Sequence, residues 1–136
     1  MAYFYSLLMA VLGNEISVYF IKIFIDRSRP TIDITYIIEK SNSFPSGHSA
    51  IAVSFYGFIT YYLLKHIQGR GKKSVILLLG ILLIALIGFS RLYLIVHFLS
   101  DVVGGFAIGA LWLVTGIIFR EHHFYTSSLK KGKKLP

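Results

Sequence analysis

The sequence predicts an all-α membrane protein, a polytopic helical bundle with about four transmembrane helices. Hydrophobic residues make up 55% of the 136-residue chain, and they are gathered in long runs separated by short polar segments. The mean hydropathy of +0.69 is too high for an ordinary soluble domain. A hydrocarbon core about 30 Å thick is crossed by about 20 helical residues, which is close to the length of these runs.

Four spans are predicted, and each begins and ends at polar or helix-breaking residues. In chain order they are residues 2–25, 45–64, 74–89 and 97–119. The third is short for a full crossing. We expect a single membrane domain at residues 1–120, followed by a basic cytoplasmic tail at 121–136.

The positive charge of the chain indicates its orientation in the membrane. A formal net charge of +8 comes from 14 Lys and Arg against 6 Asp and Glu. Most of these cations flank hydrophobic runs, which argues against a nucleic-acid partner. They are concentrated in the 65–73 turn and the tail, so the positive-inside rule places that side in the cytoplasm. We therefore expect a multi-pass protein of the cell membrane, with its polar loops at 26–45 and 90–96 on the extracytoplasmic face.

Residues 90–101 place charged groups inside apolar sequence, where they are costly in hydrocarbon. If the chain is helical from about Val96 onward, His97 and Asp101 are four residues apart and share one face. The carboxylate can hold one imidazole N–H and leave the other ring nitrogen available as a nucleophile or base. For this pair taken alone, a capped helix start with a polar i,i+4 contact is the competing interpretation.

Three cations and a helix start are predicted on the same side of the membrane as this pair. Lys22 and Arg29 are seven residues apart, so they point the same way if the first helix continues to Pro30. Snorkelling at a helix end is the alternative for these two. Arg91 adds a fork of donors suited to phosphate oxygens. Residues 45–48 open the second helix, whose unpaired N–H groups form either an anion site or an ordinary serine cap.

Together these residues predict phosphoryl transfer without a metal ion. His97 is expected to attack phosphorus, while Asp101 fixes its tautomer and stabilises the imidazolium that forms. His48, on the opposite side of the phosphorus, would protonate the leaving oxygen and then activate the water that hydrolyses the phosphohistidine. The phosphate oxygens would be bound by Lys22, Arg29, Ser46, Gly47 and Arg91.

Three segments resemble the motifs of the type-2 phosphatidic acid phosphatase superfamily, in the family's order. They are Lys22-x6-Arg29-Pro30, Pro45-Ser46-Gly47-His48 and Ser90-Arg91-x5-His97-x3-Asp101. The resemblance implies a helical bundle, a phosphohistidine intermediate, no cofactor or required metal, and lipid phosphate or diphosphate substrates handled at the outer face. It also implies the roles already given to His48, His97, Asp101 and the phosphate-binding residues.

Two features depart from the family pattern. The resemblance implies a six-helix bundle for membrane members of the family, with the first motif at the end of the third helix. This chain is therefore similar to helices three to six, without the first two. We expect either a fragment or truncated gene product, or a small variant that recovers the lost packing as a homo-oligomer. In addition, the third motif is similar to the family pattern Ser-Arg-x-Tyr-Leu-Gly-x-His, but Ile95 stands at the position of its glycine. A β-branched residue adopts a positive φ with difficulty, so we expect a reshaped turn before His97.

The predicted function is hydrolysis of a lipid phosphomonoester or diphosphate, with the lipid phosphate and the bilayer as partners. Polyprenyl diphosphate, phosphatidylglycerophosphate and phosphatidate share the required head chemistry. One alternative is a catalytically inactive membrane scaffold, in which the motif residues form a polar packing network. A less favoured alternative is a metal-dependent hydrolase built on His48, His97 and Asp101, which the neighbouring cations would oppose.

Small residues in two of the spans are predicted to serve packing rather than chemistry. Gly105 and Gly109 form a small-xxx-small pair on the fourth span, and Ala50 and Ser54 repeat the spacing on the second. Such pairs let helix backbones approach closely.

Overall fold

The computed structural model describes residues 2–30 and 41–130, with side chains described as far as residue 126. All secondary structure within these ranges is helical, which confirms the predicted all-α class. The elements are α1 (Ala2–Ile25), α2 (Gly47–Ile51), a π-helical segment (Ala52–Tyr56), α3 (Gly57–His66), α4 (Arg70–Tyr93) and α5 (Leu99–Lys130).

Three of the helices are long and apolar enough to cross a membrane: α1, α4 and residues Leu99–Thr126 of α5. Their outer faces carry large exposed hydrophobic side chains, such as Phe24 and Leu78, which suit lipid rather than water. The fourth helical segment, residues 47–66, is made of α2, the π-helical segment and α3 without a break. Its first part packs against α1, α4 and α5 and so lies at the centre of the bundle.

The first helix ends at Ile25, the predicted end of the span, and does not continue to Pro30. α1 stops at Ile25, because Asp26 has a φ of 47°, in the left-handed region that aspartate tolerates better than most residues. The Asp26 N–H donates to the Lys22 carbonyl at 3.1 Å and completes the last turn. Arg29 therefore lies beyond the helix, and the predicted alignment of Lys22 with Arg29 along one helical face is wrong.

The third span is longer than predicted. α4 begins at Arg70 and ends at Tyr93, so residues 70–73 of the basic turn and the Ser90-Arg91 pair belong to the helix. Gly69, with a φ of 97°, separates α3 from α4, and lysine and arginine are good helix formers once the helix has begun.

The fourth span starts later than predicted and continues further. His97 precedes α5, which begins at Leu99. The Asp101 carboxylate accepts the backbone N–H of Phe98 at 2.8 Å, as in a capping box, and this bond defines the helix start. At its other end α5 continues past residue 119 to Lys130.

The close packing predicted for the small residues is confirmed. A Cβ atom built on Gly105 would lie 2.4 Å from the Ser46 carbonyl oxygen, and one on Gly109 would lie 2.3 Å from that of Ala50. In addition, the Ser46 N–H donates to the Asp101 carbonyl at 2.9 Å. The start of α2 is thus fixed against the first two turns of α5, beside His97.

Two further contacts hold the other helices to α5. The Trp112 indole N–H donates to Ser17 Oγ at 2.9 Å and joins α5 to α1. Glu121 accepts from Tyr61 Oη at 2.5 Å and pairs with Lys65 at 2.8 Å, joining α5 to α3.

Candidate active site

A cavity of about 410 Å³ lies where the end of α1, the start of α2 and the loop before α5 meet. Five of the eight residues predicted for the site line it: Lys22, Arg29, Gly47, His48 and His97. The other lining residues are Glu15, Val18, Tyr19, Ser41 and Ile51. Residues from three separate sequence motifs therefore share one cavity.

The hydrogen bonding of His97 defines its tautomer. Arg29 Nη1 lies 3.3 Å from His97 Nε2, and a guanidinium can only donate, so Nε2 carries the lone pair. The proton is then on Nδ1, which lies 3.4 Å from Asp101 Oδ2 and is fully buried. This distance is longer than a normal N–H···O hydrogen bond. The arrangement leaves Nε2 as the ring atom that can act as a nucleophile.

Arg29 is held in place although it lies outside a helix. Its Nε donates to the Ser41 carbonyl at 2.7 Å and its Nη2 to Ser41 Oγ at 3.0 Å, while Nη1 donates to the Val96 carbonyl at 2.8 Å. These bonds fix the guanidinium beside His97.

Lys22 reaches the cavity from the last turn of α1. Its Nζ donates to the Asn42 carbonyl, and Asn42 Nδ2 returns a bond to the Lys22 carbonyl at 2.9 Å. Lys22 and Arg29 thus share the cavity through bonds to residues 41–42, and not through the common helical face that the sequence suggested.

The Pro45-Ser46-Gly47-His48 motif lies at the start of α2. One of its residues caps the helix and two line the cavity. Ser46 is the fully buried N-cap, whose Oγ accepts from Ser49 N–H at 3.4 Å and from Ser49 Oγ at 3.0 Å. Gly47 and His48 line the cavity in the first turn, where backbone N–H groups have no partner within the helix. Ser46 is not among the lining residues.

Arg91 lies at the end of α4 and is likewise not among the lining residues. Its Nε donates to Ser90 Oγ at 3.1 Å, and its carbonyl accepts the Val96 N–H at 3.3 Å across the turn before His97. Ile95 in that turn has a φ of 53°. A β-branched residue therefore adopts the positive φ that favours glycine. The turn before His97 is not reshaped to avoid this conformation, in contrast to what the sequence predicted.

Arg27 was not predicted as a site residue, yet it binds the partner of His97. Its Nη1 lies 2.9 Å from Asp101 Oδ1 and 2.6 Å from Ser100 Oγ. Its guanidinium carbon also lies 4.2 Å from the centre of the Phe98 ring. The available signal was its position inside the first motif, two residues before Arg29.

Burial and positive charge keep His97 neutral. Removal from water lowers the pKa of the His97 imidazole below its usual value, and Arg29 and Lys22 lower it further. Asp101 acts in the opposite direction, but burial and the cations prevail. At neutral pH the ring therefore presents a neutral Nε2, the form that attacks an electrophile.

The charges around the cavity suit an anion better than a cation. Within residues 2–30 and 41–130, no three His, Asp or Glu side chains are grouped so that they could hold a metal ion. Asp101 is engaged by Arg27, and two cations line the cavity with His97. A tetrahedral oxyanion fits this environment.

Comparisons with known proteins agree with the three motifs. The model of the PAP2 superfamily matches residues 1–125. Phosphatidylglycerophosphatase B of Bacillus subtilis (strain 168) is 44% identical over 100 residues, which cover 71% of this chain and 48% of that protein. Lipid phosphate phosphatase 2 of Arabidopsis thaliana is 38% identical over 76 residues, covering 52% of this chain and 26% of that protein.

A solved structure shows the same fold. The crystal structure of a transmembrane PAP2-type phosphatidylglycerolphosphate phosphatase from Bacillus subtilis matches with a TM-score of 0.76 and 36% identity. The match covers 85% of this chain and 58% of that one, so this chain spans little more than half the length of the solved protein. With the family model matching residues 1–125, the chain belongs to the PAP2 superfamily.

Proposed function

We propose that this chain is a membrane lipid phosphatase, which hydrolyses a lipid phosphomonoester or diphosphate through a phosphohistidine intermediate and without a metal ion. The observation that supports this most strongly is the single cavity shared by Lys22, Arg29, the first turn of α2 and two histidines. Cations, backbone donors, a nucleophile and a proton donor are the groups that phosphoryl transfer requires.

In the first step, the phosphate oxygens bind Lys22, Arg29 and the N–H groups at the start of α2. The lone pair on His97 Nε2 forms a bond to phosphorus as the bond to the lipid oxygen breaks. His48 gives its proton to that oxygen, and the lipid alcohol leaves. Asp101 stabilises the positive imidazolium through Nδ1.

In the second step, a water molecule replaces the leaving alcohol. His48, now neutral, takes a proton from this water while the water oxygen bonds to phosphorus. The phosphorus–nitrogen bond breaks, its electron pair returns to His97 Nε2, and inorganic phosphate leaves. Both histidines then hold the protons with which they began.

Ser46 and Arg91 have indirect roles in this proposal. Ser46 caps α2 and so aims its first-turn N–H groups at the cavity. The Arg91 carbonyl accepts the Val96 N–H and helps to close the turn that precedes His97.

The substrate class we propose is a lipid phosphomonoester of the phosphatidylglycerophosphate type. Phosphatidate and polyprenyl diphosphate are the alternative substrates. Support comes from the 44% identity to a protein named phosphatidylglycerophosphatase B. The apolar side chains Val18 and Ile51 line the cavity beside its polar groups, which suits an amphipathic substrate.

The proposal is tested by measuring phosphate release from all three lipids with purified protein in detergent or lipid, with and without EDTA. We expect release from at least one lipid, no effect of EDTA, and a loss of at least about a thousandfold in His97→Ala. Release that requires a divalent cation would favour the metal-dependent alternative. No release from any lipid would favour the inactive scaffold.

A further inference from the structure

Arg27 holds one side of a buried carboxylate whose other side faces the proposed nucleophile. Asp101 is 0% exposed, and its Oδ1 lies 2.9 Å from Arg27 Nη1. Its Oδ2 accepts the Phe98 N–H at 2.8 Å and lies 3.4 Å from His97 Nδ1. Every oxygen of this carboxylate therefore has a fixed donor besides the histidine.

These donors determine how the carboxylate acts on the imidazole. A buried carboxylate stays ionised only if it is paired or hydrogen-bonded, and Arg27 supplies the positive charge for Asp101. The guanidinium is itself fixed, because the same Nη1 also donates to Ser100 Oγ at 2.6 Å and the group stacks on the Phe98 ring. Arg27 and Phe98 thus set both the rotation and the effective charge of Asp101.

We propose that Arg27 is a positioning residue of the phosphatase reaction, acting on His97 through Asp101. By holding the carboxylate and offsetting part of its charge, it lets His97 remain neutral before attack while keeping Asp101 in place to stabilise the phosphorylated ring. The inference rests on the proposed function, in which His97 is the nucleophile.

The charges around His97 determine the sign of the effect. The charged and titratable groups that share the cavity with His97 or act on its charge are Lys22, Arg29, His48, Glu15, Tyr19 and Asp101. Without Arg27, Asp101 carries a fuller negative charge and the pKa of His97 rises. The acid limb of kcat/KM then moves to higher pH, because a larger fraction of the ring is protonated at any given acidic pH.

The test is the pH profile of kcat/KM for Arg27→Gln, measured with the full chain on dioctanoyl phosphatidylglycerophosphate in detergent micelles. We expect the acid limb to move up by about one pH unit, which is about a tenfold loss on that limb. Arg27→Lys restores a positive charge and should recover most of the activity. The matched control is Arg70→Gln, an exposed cation at the start of α4, which should leave the profile unchanged.

A double-mutant cycle with Asp101→Asn separates action through Asp101 from any other effect. If Arg27 acts through Asp101, Arg27→Gln should change kcat/KM on the acid limb less than about twofold in the Asp101→Asn background. The double variant removes both charges, so it leaves no unpaired buried ion. An unchanged acid limb in Arg27→Gln, or a full additional loss in the double variant, would overturn the inference.

The inference and the proposed function fail in different ways. Full activity in His97→Ala refutes the phosphohistidine mechanism itself, whatever Arg27 does. Inactive His97→Ala together with an unchanged Arg27→Gln profile refutes only the role of Arg27. If Arg27→Gln and Arg27→Lys both fail to fold while the double variant folds, Arg27 is structural and the inference is also refuted.

Discussion

At the residue scale, His97 combines two demands that oppose each other. In the proposed reaction Lys22 and Arg29 bind phosphate, but the same charges disfavour the positive ring that would form on phosphorylation of His97. A bound phosphate resolves the conflict, because its negative charge offsets the two cations as the imidazolium forms. Asp101 adds to this stabilisation from behind the ring.

The pH dependence of activity follows from the lowered pKa of His97. In the proposed mechanism the neutral ring is the nucleophile, so kcat/KM should fall as the pH drops through the lowered pKa and not before it. We expect the acid limb of the wild-type profile to lie below pH 6.5, the usual histidine value. Initial rates of phosphate release across the acidic range measure this, and an acid limb above pH 7 would contradict the environment described for His97.

Ile95 offers a test of local backbone strain. Its φ of 53° is costly for an isoleucine, and the side chain is 40% exposed, so glycine loses little packing there. We expect Ile95→Gly to raise the free energy of unfolding by up to about 1 kcal/mol. Leu94→Gly is the control: Leu94 has a φ of −76°, and the change should destabilise by about 0.5–1 kcal/mol. Thermal unfolding in detergent compares the two, and equal destabilisation would contradict the strain.

Most of the polar residues that line the cavity were predictable at this scale, because the motifs that contain them are recognised by residue type and order. Histidine, arginine and lysine at the motif spacings are rare in apolar sequence, and this identified His97 and Arg29. Arg27 was missed because a charge in a polar segment shows no partner until the chain folds. Its bond to Asp101 spans 74 positions of sequence.

At the element scale, the short helix α2 depends on the glycine face of α5. Gly105 and Gly109 let the backbone of residues 46–50 lie against α5, where any side chain would meet a carbonyl oxygen. Because Gly47 and His48 are on α2, this packing also sets their distance from His97. The packing of α2 on α5 therefore determines the geometry of the proposed site.

Gly109→Ala tests that link. The added Cβ would lie 2.3 Å from the Ala50 carbonyl oxygen, so α2 must move. We expect a loss of about 1–3 kcal/mol in stability and at least a tenfold loss of phosphate release. Gly71→Ala is the matched control, because nothing lies within 4 Å of its added Cβ, and we expect its stability to change by less than about 0.5 kcal/mol. Equal behaviour of the two variants would contradict the packing account.

Helix existence and the end of α1 at Ile25 were predictable from the sequence, whereas both ends of α4 and the start of α5 were not. Long apolar runs predict the helices, but the ends are decided by single residues and by tertiary hydrogen bonds. Asp26 ends α1 by adopting a positive φ, and the Asp101 bond to Phe98 N–H starts α5 after His97. Neither feature leaves a hydrophobic pattern in the sequence.

At the scale of the whole molecule, the candidate site and the cations of the 65–73 segment lie at opposite ends of the helices. The cavity lies at the end of α1 and the start of α2, whereas the 65–73 segment lies at the end of α3 and the start of α4. The positive-inside rule then supports an extracytoplasmic site, which is part of our proposal.

This orientation can be tested directly, since the chain contains no cysteine. Ser28→Cys introduces a thiol beside the cavity end, and Gln68→Cys introduces one between α3 and α4; both positions are exposed. In intact cells, a membrane-impermeant maleimide should label Ser28→Cys, whereas Gln68→Cys should react only after permeabilisation. The reverse pattern would contradict the proposed orientation.

The most direct test of the central claim is to trap the phosphoenzyme. Protein is mixed with a lipid carrying a radiolabelled terminal phosphate, quenched in alkali, which preserves phosphohistidine, and separated on a denaturing gel. We predict label on the wild-type chain and none in His97→Ala. Label that persists in His97→Ala would show that another residue is the nucleophile and would contradict the account.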